Sequence, residues 1–214
     1  MPAPGHVPRR RWWRRALVSR YGARGRDLAR AVDAEYSVLV AARPPWGEEN
    51  RALRFHVRQA ILPDLAAYRV LSREHGDAAV ARAEVRDLMT AQLLPVLRVV
   101  GVLDRVGVPF ARMRRLTRWL VPRAFPPAGF TIGWSQDDAH GLRFDVTTCF
   151  YLRVLRHYGA PELTGVFCYG DQVVYEQMPR SVRFSRSGTL ATGAGRCDFL
   201  LQPTGPAGRE TMTP

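Results

Sequence analysis

The sequence predicts an α+β protein in which a helical region comes first and a small antiparallel sheet with a short helix follows. Apolar residues recur at helical spacing up to about residue 125. The Phe-Pro-Pro-Ala-Gly stretch at 125–129 then interrupts the pattern. Beyond it, apolar and polar residues alternate, as in strands with one buried face. A chain of 214 residues with 46% hydrophobic content is long enough to bury a core.

The helical region contains several signals that start or stop helices. Gly76 ends one apolar pattern, and Asp77 directly after it is a plausible N-cap for the next helix. Pro63 is expected to bend or interrupt its helix, and Pro95 is expected to kink another. The predicted helices are 28–40, 50–75, 77–100 and 110–120.

The later region carries the strand pattern. Segments 130–134 and 142–147 form a hairpin candidate across a polar connection, and a helix over 150–158 stops at a Gly-Ala-Pro sequence. Two more strands are predicted, at 182–186 and 197–201, across a glycine-rich turn. The predicted organisation is a basic flexible leader at 1–27, a helical region at 28–125, an α+β catalytic region at 126–203 and a flexible tail at 204–214.

The positive charge is concentrated near the start of the chain. The formal net charge is +13, and all 32 basic residues are arginine, a pattern typical of a GC-rich genome. Nine arginines fall in the first thirty residues against one acid, Asp27. Such a block, with Trp12 and Trp13 inside it, could contact nucleic acid or an anionic surface. A solvated leader is the preferred interpretation, because no recognition motif accompanies the charge.

The sequence favours a cytoplasmic protein without a membrane span. The segment 16–21 is too short, and too soon interrupted by Arg20, to be the apolar core of a signal peptide. Other apolar runs fall short of the ~20 residues that a spanning helix needs. The three cysteines are an odd number, so reduced thiols are favoured over a disulfide framework.

Polar residues of chemical interest cluster in the last third of the chain. They sit in short motifs between apolar segments: FDVTTC at 144–149, GAPELT at 159–164, FCYGD at 167–171, FSR at 184–186, TLA at 189–191 with Gly193, and CDF at 197–199. In order and spacing, these motifs resemble those of the L-2-amino-thiazoline-4-carboxylate hydrolases. The resemblance covers roughly a third of the chain.

That resemblance implies hydrolytic opening of a cyclic amidine. We expect the reaction to belong to a specialised pathway and to need no cofactor. In the namesake reaction a five-membered thiazoline ring is attacked at C2, and a carbamoyl cysteine is formed. Similarity to a family does not fix the ligand, so related heterocyclic amino acids are also candidate substrates. The small molecule is the expected partner, and the oligomeric state is left open.

The chemistry of an amidine points to particular side chains. Its carbon is electrophilic, so a thiolate or an activated water can attack while a carboxylate holds the positive nitrogen. Cys197 is the first candidate nucleophile, because it lies after a glycine-rich turn and beside Asp198. Cys149 and Cys168 compete for that role. Each cysteine has a plainer interpretation as a small buried apolar residue.

The remaining candidates bind substrate or move protons. Asp171 and Asp198 are candidates to hold the amidinium and to shuttle a proton, although turn or cap roles are alternatives. Arg186 is a candidate to receive a substrate carboxylate through its bidentate fork, with a solvated strand arginine as the alternative. Thr189 and Glu162, from the same motifs, complete the predicted substrate-binding set.

The same residues are compatible with functions other than catalysis. Three thiolates and a carboxylate could form a zinc shell, but no C-x-x-C pair is present, so no metal site is predicted. A ligand- or metal-binding module that uses the same cysteines is the alternative to an enzyme.

His140 and His157 lie nearest to the motifs as candidate bases, without support from the motif pattern.

Overall fold

A computed structural model describes residues 9–46 and 50–204 of the chain. Within these ranges, helices come first and a four-stranded antiparallel sheet with two further helices follows, which confirms the predicted α+β class. The helices are α1 (Arg9–Ala41), α2 (Arg51–Phe55), α3 (Leu62–His75), α4 (Ala78–Arg105), α5 (Phe110–Ala124), α6 (Phe150–His157) and α7 (Thr164–Glu176). The strands are β1 (Thr131–Asp137), β2 (Leu142–Thr148), β3 (Val182–Ser185) and β4 (Cys197–Pro203).

The chain forms two compact units. The first contains the described residues up to Gln92 together with Arg153–Val166, and the second contains Leu93–Leu152 and the described residues from Phe167 onward. The first unit is built from helices, with α1 packed along α3. The second unit carries the whole sheet.

In the first unit, α1 starts earlier than the sequence predicts. Trp13 and Leu17 are fully buried, and the Trp13 indole Nε1 donates a hydrogen bond to the buried carboxylate of Asp64 at 2.9 Å. The predicted leader 1–27 is therefore helical from Arg9 onward, and its apolar residues Trp13 and Leu17 belong to the core. Residues 1–8 of that leader and most of the predicted tail 204–214 lie outside the described part.

Helix α1 consists of two helical segments that meet at Gly22. This residue has φ 56° and ψ −124°, a conformation that L-residues with a side chain rarely adopt. Three residues further on, a Cβ atom at Gly25 would lie 2.2 Å from the carbonyl oxygen of Leu17. Both glycines are therefore required by the path of the backbone.

The predicted helix boundary between α3 and α4 is confirmed. Gly76 adopts the left-handed conformation with φ 65°, and the Asp77 carboxylate accepts the backbone N–H of Ala79 at 2.7 Å. The interruption expected near Pro63 occurs as a π-helical turn, His56–Ile61, directly before α3. Helix α4 continues through Pro95 to Arg105.

The sheet of the second unit has the strand order β1-β2-β4-β3, with every pair antiparallel. One face is apolar: the Phe144 and Phe199 rings stack with their centroids 4.6 Å apart. Cys197 shares this face with Phe199, because residues two apart in a strand point the same way. Asp198, one residue later, points to the opposite face.

Helix α7 is the main element that the sequence analysis missed. Gly165 and Gly170 and a pair of adjacent valines lower its intrinsic helix propensity. Gly170 and Val173 are nevertheless buried, which shows that tertiary packing stabilises the helix.

Candidate active site

The three cysteines belong to three separate structural elements of the second unit. Cys149 lies between β2 and α6, Cys168 lies on α7, and Cys197 is the first residue of β4. Each has a free thiol group. The charge of Cys197 acts on Cys149, and Cys168 and Cys197 share a hydrogen bond. The fold therefore brings together three thiols that are far apart in the sequence.

Cys197 has the features of a nucleophile. Its sulfur accepts a hydrogen bond from the Cys168 thiol and another from the backbone N–H of Leu190, at 3.2 Å. These bonds, with help from the positive Arg186, outweigh the effect of burial and lower the pKa of Cys197 to about 7. The surroundings of Cys197 therefore favour its thiolate more than those of an ordinary cysteine do.

Cys168 stays protonated under the same conditions. The hydrogen bond to Cys197, burial and the negative charge of Asp171 all raise the pKa of the Cys168 thiol. Cys168 and Cys197 titrate as a pair, and the surroundings favour the ionised form of Cys197 over that of Cys168. Cys168 is a hydrogen-bond donor rather than a second nucleophile.

Cys149 caps the start of α6. Its sulfur accepts the backbone N–H groups of Tyr151 and Leu152, a role that serine or aspartate commonly plays. Burial nevertheless raises the pKa of the Cys149 thiol. The direction of the pKa shift thus distinguishes Cys197 from the other two candidate nucleophiles, because only Cys197 has a lowered pKa.

Asp171 lies on the same face of α7 as Cys168 and Tyr175, because the three residues are spaced i, i+3 and i+7. Desolvation of the carboxyl group raises the pKa of Asp171, at most to about 6 because water still reaches the side chain, and Arg186 acts in the opposite direction. Its side chain remains 42% accessible, so a small molecule can reach it. Asp171 is therefore suited to donate or accept a proton near neutral pH.

Arg186 is held in place next to these groups. Its Nη2 donates to the carbonyl oxygen of Cys168 at 3.0 Å, and its Nη1 lies 3.5 Å from Oδ2 of Asp171. The guanidinium carbon is 5.7 Å from the Phe184 ring centroid and 5.4 Å from that of Phe199. Only 10% of the side chain is exposed. Arg186 thus provides a fixed positive charge beside the thiol pair.

Asp198 organises the turn that precedes β4. It accepts the backbone N–H groups of Ser187 and Gly188, at 3.0 and 2.8 Å, and the Ser187 hydroxyl at 2.7 Å. Although partial burial acts to raise the pKa of Asp198, these hydrogen bonds lower it to about 2. Its contacts are those of a turn-forming residue, and its catalytic role stays a prediction.

Thr189 and Glu162 have structural partners as well. Thr189 forms a reciprocal capping box with Thr192 around a 3₁₀ turn, and this turn presents the N–H of Leu190 to Cys197. Glu162 belongs to the first unit, where its carboxylate accepts the hydroxyl of Tyr68 at 2.6 Å. Substrate binding by either residue stays a prediction.

Backbone amides of the glycine-rich turn before Cys197 are expected from the sequence to lower its pKa, and Leu190 supplies such an N–H. The sequence does not show which residue of the turn is the donor, since any residue except proline has a backbone N–H. Tyr175 is a neighbour of Asp171 that the sequence analysis did not name. Burial raises the pKa of the Tyr175 phenol, and the negative charge of the nearby Asp171 carboxylate acts in the same direction. Its position four residues after Asp171 would have indicated this neighbour, had α7 been recognised as a helix.

Among residues 9–46 and 50–204, no group of three or more His, Cys, Asp or Glu side chains is arranged to hold a metal ion. In the same ranges, no helix combines the length and the apolar composition that crossing a membrane requires.

Comparisons with known proteins place the chain in a family. The Fe(II) unliganded H-NOX protein from K. algicida aligns over 95% of this chain and 96% of its own, with a TM-score of 0.40 and 9% identity. A structure from work on heme distortion in the H-NOX family aligns with a TM-score of 0.35 and 10% identity, over 94% of this chain and 96% of its own. These TM-scores are too low for any inference about ligand or function. No curated protein matches.

The family model described as L-2-amino-thiazoline-4-carboxylic acid hydrolase matches residues 54–201. Since this match spans more than half of the sequence, the chain belongs to the L-2-amino-thiazoline-4-carboxylic acid hydrolase family.

Proposed function

We propose that this chain is a hydrolase that opens the ring of a cyclic amidine such as 2-amino-thiazoline-4-carboxylate, with Cys197 as its nucleophile. The observation that carries the proposal is the pair of donors on the Cys197 sulfur, the Cys168 thiol and the Leu190 N–H. They bring the pKa of Cys197 to about 7. The family name supports hydrolysis in general, while the thiol and the substrate are our additions.

The proposed reaction has two halves. In the first, the Cys197 thiolate forms a bond to C2 of the ring, the bond from C2 to the ring nitrogen breaks, and that nitrogen takes up a proton. In the second, water adds to the same carbon, the bond to Cys197 breaks, and the thiolate is regenerated. The product is an S-carbamoyl amino acid, and the sum of the two halves is the addition of one water molecule.

Asp171 is the proposed source of the proton for the departing ring nitrogen. Its pKa of about 6 leaves a useful fraction protonated near neutral pH, and its accessible side chain can approach a bound molecule. The positive charge of Arg186 is proposed to attract the substrate carboxylate and to stabilise the Cys197 thiolate. Cytoplasmic location remains a prediction from the sequence.

The direct test is turnover of 2-amino-thiazoline-4-carboxylate, followed by mass spectrometry, with wild type and Cys197→Ala. Cys149→Ala is the matched control, because it removes a thiol whose pKa is raised rather than lowered. We expect ring-opened product from wild type and from the control, and loss of product by a factor of about 10³ or more with Cys197→Ala.

Full activity of Cys197→Ala would refute the choice of nucleophile. No turnover by wild type would exclude this substrate. Metal content measured on the same sample addresses the alternative function, since stoichiometric metal without turnover would favour a metal-binding module that uses the same cysteines.

A further inference from the structure

The second half of α4 exposes apolar side chains on a continuous face. Val99 and Val106 are 61% and 71% exposed, and Leu103 between them is 45% exposed. Their i, i+4, i+7 spacing places them on one face of the helix. Leu97 and Asp104 are buried and mark the opposite face. A helix that is apolar on its outer face is normally covered by another apolar surface.

The buried side of this helix segment is anchored. The Asp104 carboxylate accepts the backbone N–H groups of Arg180 and Ser181, at 3.2 and 2.8 Å. These bonds fix which face of α4 points inward within the second unit. The outward position of Val99, Leu103 and Val106 is therefore built into the packing of the helix.

Helix α5, which follows after a short turn, exposes a second set of large apolar residues. Leu116, Trp119 and Leu120 are each about half exposed, at 54%, 54% and 48%. The guanidinium carbon of Arg123 lies 4.5 Å from the Trp119 ring centroid, and its Nη1 donates to the Trp119 carbonyl at 2.7 Å. An arginine is thus held against an exposed tryptophan at the surface.

The second half of α4 and helix α5 both carry a net positive charge. Residues 93–124 contain seven arginines and a single acid, the buried Asp104. Arg114 and Arg118 form ion pairs with Asp137. In the described part of the chain, the other arginines of residues 93–115 have no acidic partner; these are Arg98, Arg105, Arg112 and Arg115.

We propose that the exposed apolar residues of 93–124 and the arginines beside them, here called the α4–α5 surface, bind to an anionic phospholipid bilayer. Exposed valine, leucine and tryptophan would enter the boundary between headgroups and acyl chains, while the arginines contact lipid phosphates. A second copy of the chain fits less well, because it would bring two sets of unpaired arginines together. Nucleic acid would satisfy the arginines but would leave the valine face of α4 uncovered.

The experiment measures co-sedimentation of the full chain with phosphatidylcholine vesicles that contain or lack phosphatidylglycerol. We expect binding to the anionic vesicles alone. The triple variant Val99→Ser/Val106→Ser/Trp119→Ser should weaken it at least about tenfold. Arg112→Gln/Arg115→Gln should weaken it about fivefold per arginine removed. The matched control is Val38→Ser/Val80→Ser, which alters apolar residues that are 63% and 48% exposed in the first unit and should bind as wild type does.

Circular dichroism of each variant establishes that the helices are retained. Equal binding to neutral vesicles, or equal loss of binding in the control variant, would overturn the proposal. So would a dimer, detected by light scattering, that becomes monomeric in the triple variant while no vesicles are bound. That result would assign the α4–α5 surface to contact between copies of the chain.

Discussion

The thiol of Cys168 donates a hydrogen bond to the sulfur of Cys197, on the apolar face of the sheet. The two residues respond in opposite directions, since the same bond raises the pKa of Cys168 and lowers that of Cys197. The thiolate form of Cys197 is therefore favoured by a neighbouring thiol, a backbone N–H and the positive charge of Arg186. The predictions for the active site follow from this pair and from the acid next to it.

Replacing Cys168 by alanine should make Cys197 less reactive. Without the donor, the pKa of Cys197 is expected to rise from about 7 towards the ordinary value of ~8.5. The rate of Cys197 alkylation by iodoacetamide at pH 7 should then fall about tenfold, because the thiolate fraction falls. Peptide mapping by mass spectrometry at several pH values measures this site by site. Cys149→Ala is the control, and an unchanged profile in Cys168→Ala would show that the hydrogen bond does not tune the nucleophile.

The pH dependence of turnover should be bell-shaped. The proposed mechanism requires Cys197 deprotonated and Asp171 protonated, with pKa values of about 7 and about 6, so the optimum is expected between these values. Asp171→Asn should lower kcat by about 10² to 10⁴ and abolish the decline on the alkaline side. If the pH profile of Asp171→Asn keeps both the acidic and the alkaline decline, Asp171 is excluded as the acid.

Asp198→Asn should affect stability more than reactivity. Loss of the charged acceptor for Ser187 and Gly188 is expected to lower the free energy of unfolding by about 1 to 3 kcal/mol at pH 7. The folded-state pKa of about 2 is below the ordinary value of ~3.9. The contribution of the carboxylate is therefore complete above that ordinary value and is lost as the pH falls towards 2. Urea unfolding at pH 7 and near pH 3 measures both effects, and a large drop in Cys197 alkylation would instead support a catalytic role.

Trp13→Ala should destabilise the first unit. The indole is fully buried and hydrogen-bonded to Asp64, so its removal is expected to cost about 3 to 5 kcal/mol. Thermal unfolding followed by circular dichroism measures this cost. Trp12→Ala is a useful control, because Trp12 is the neighbour of Trp13 and its side chain is only partly buried. Equal stability of the two variants would contradict the packing of α1.

The position of α1 also changes how nucleic-acid binding is tested. Deleting residues 1–30 would remove Trp13 and Leu17 from the core, so loss of binding would be uninterpretable. Charge reversal at the exposed Arg11, Arg14 and Arg15 is the better experiment, since it leaves the buried face intact. If these arginines bind phosphates, the triple variant should lose salt-sensitive association with DNA.

Local signals in the sequence predicted the elements that depend on local chemistry. Gly76 and Asp77 mark a boundary because a left-handed residue and an N-cap act over a few residues. Helix α7 was missed, because its glycines oppose helix formation and its stability depends on packing against distant residues. The side chains of Cys197 and Asp198 point to opposite faces of the sheet, as strand alternation alone predicts. The contact between Cys168 and Cys197 could not be read from the sequence, since it requires the three-dimensional arrangement of α7 and β4.

The backbone conformation of Gly22, where α1 bends, suits a D-residue and excludes an L-residue. No atom lies within 4 Å of where a Cβ would stand, so the space for a methyl group exists. What excludes an L-residue is the backbone conformation, φ 56° and ψ −124°, whose mirror image is ordinary extended backbone. A D-alanine installed at this position by chemical ligation would therefore fit without strain and would restrict the unfolded chain, whereas its L-enantiomer of identical size would disrupt the bend.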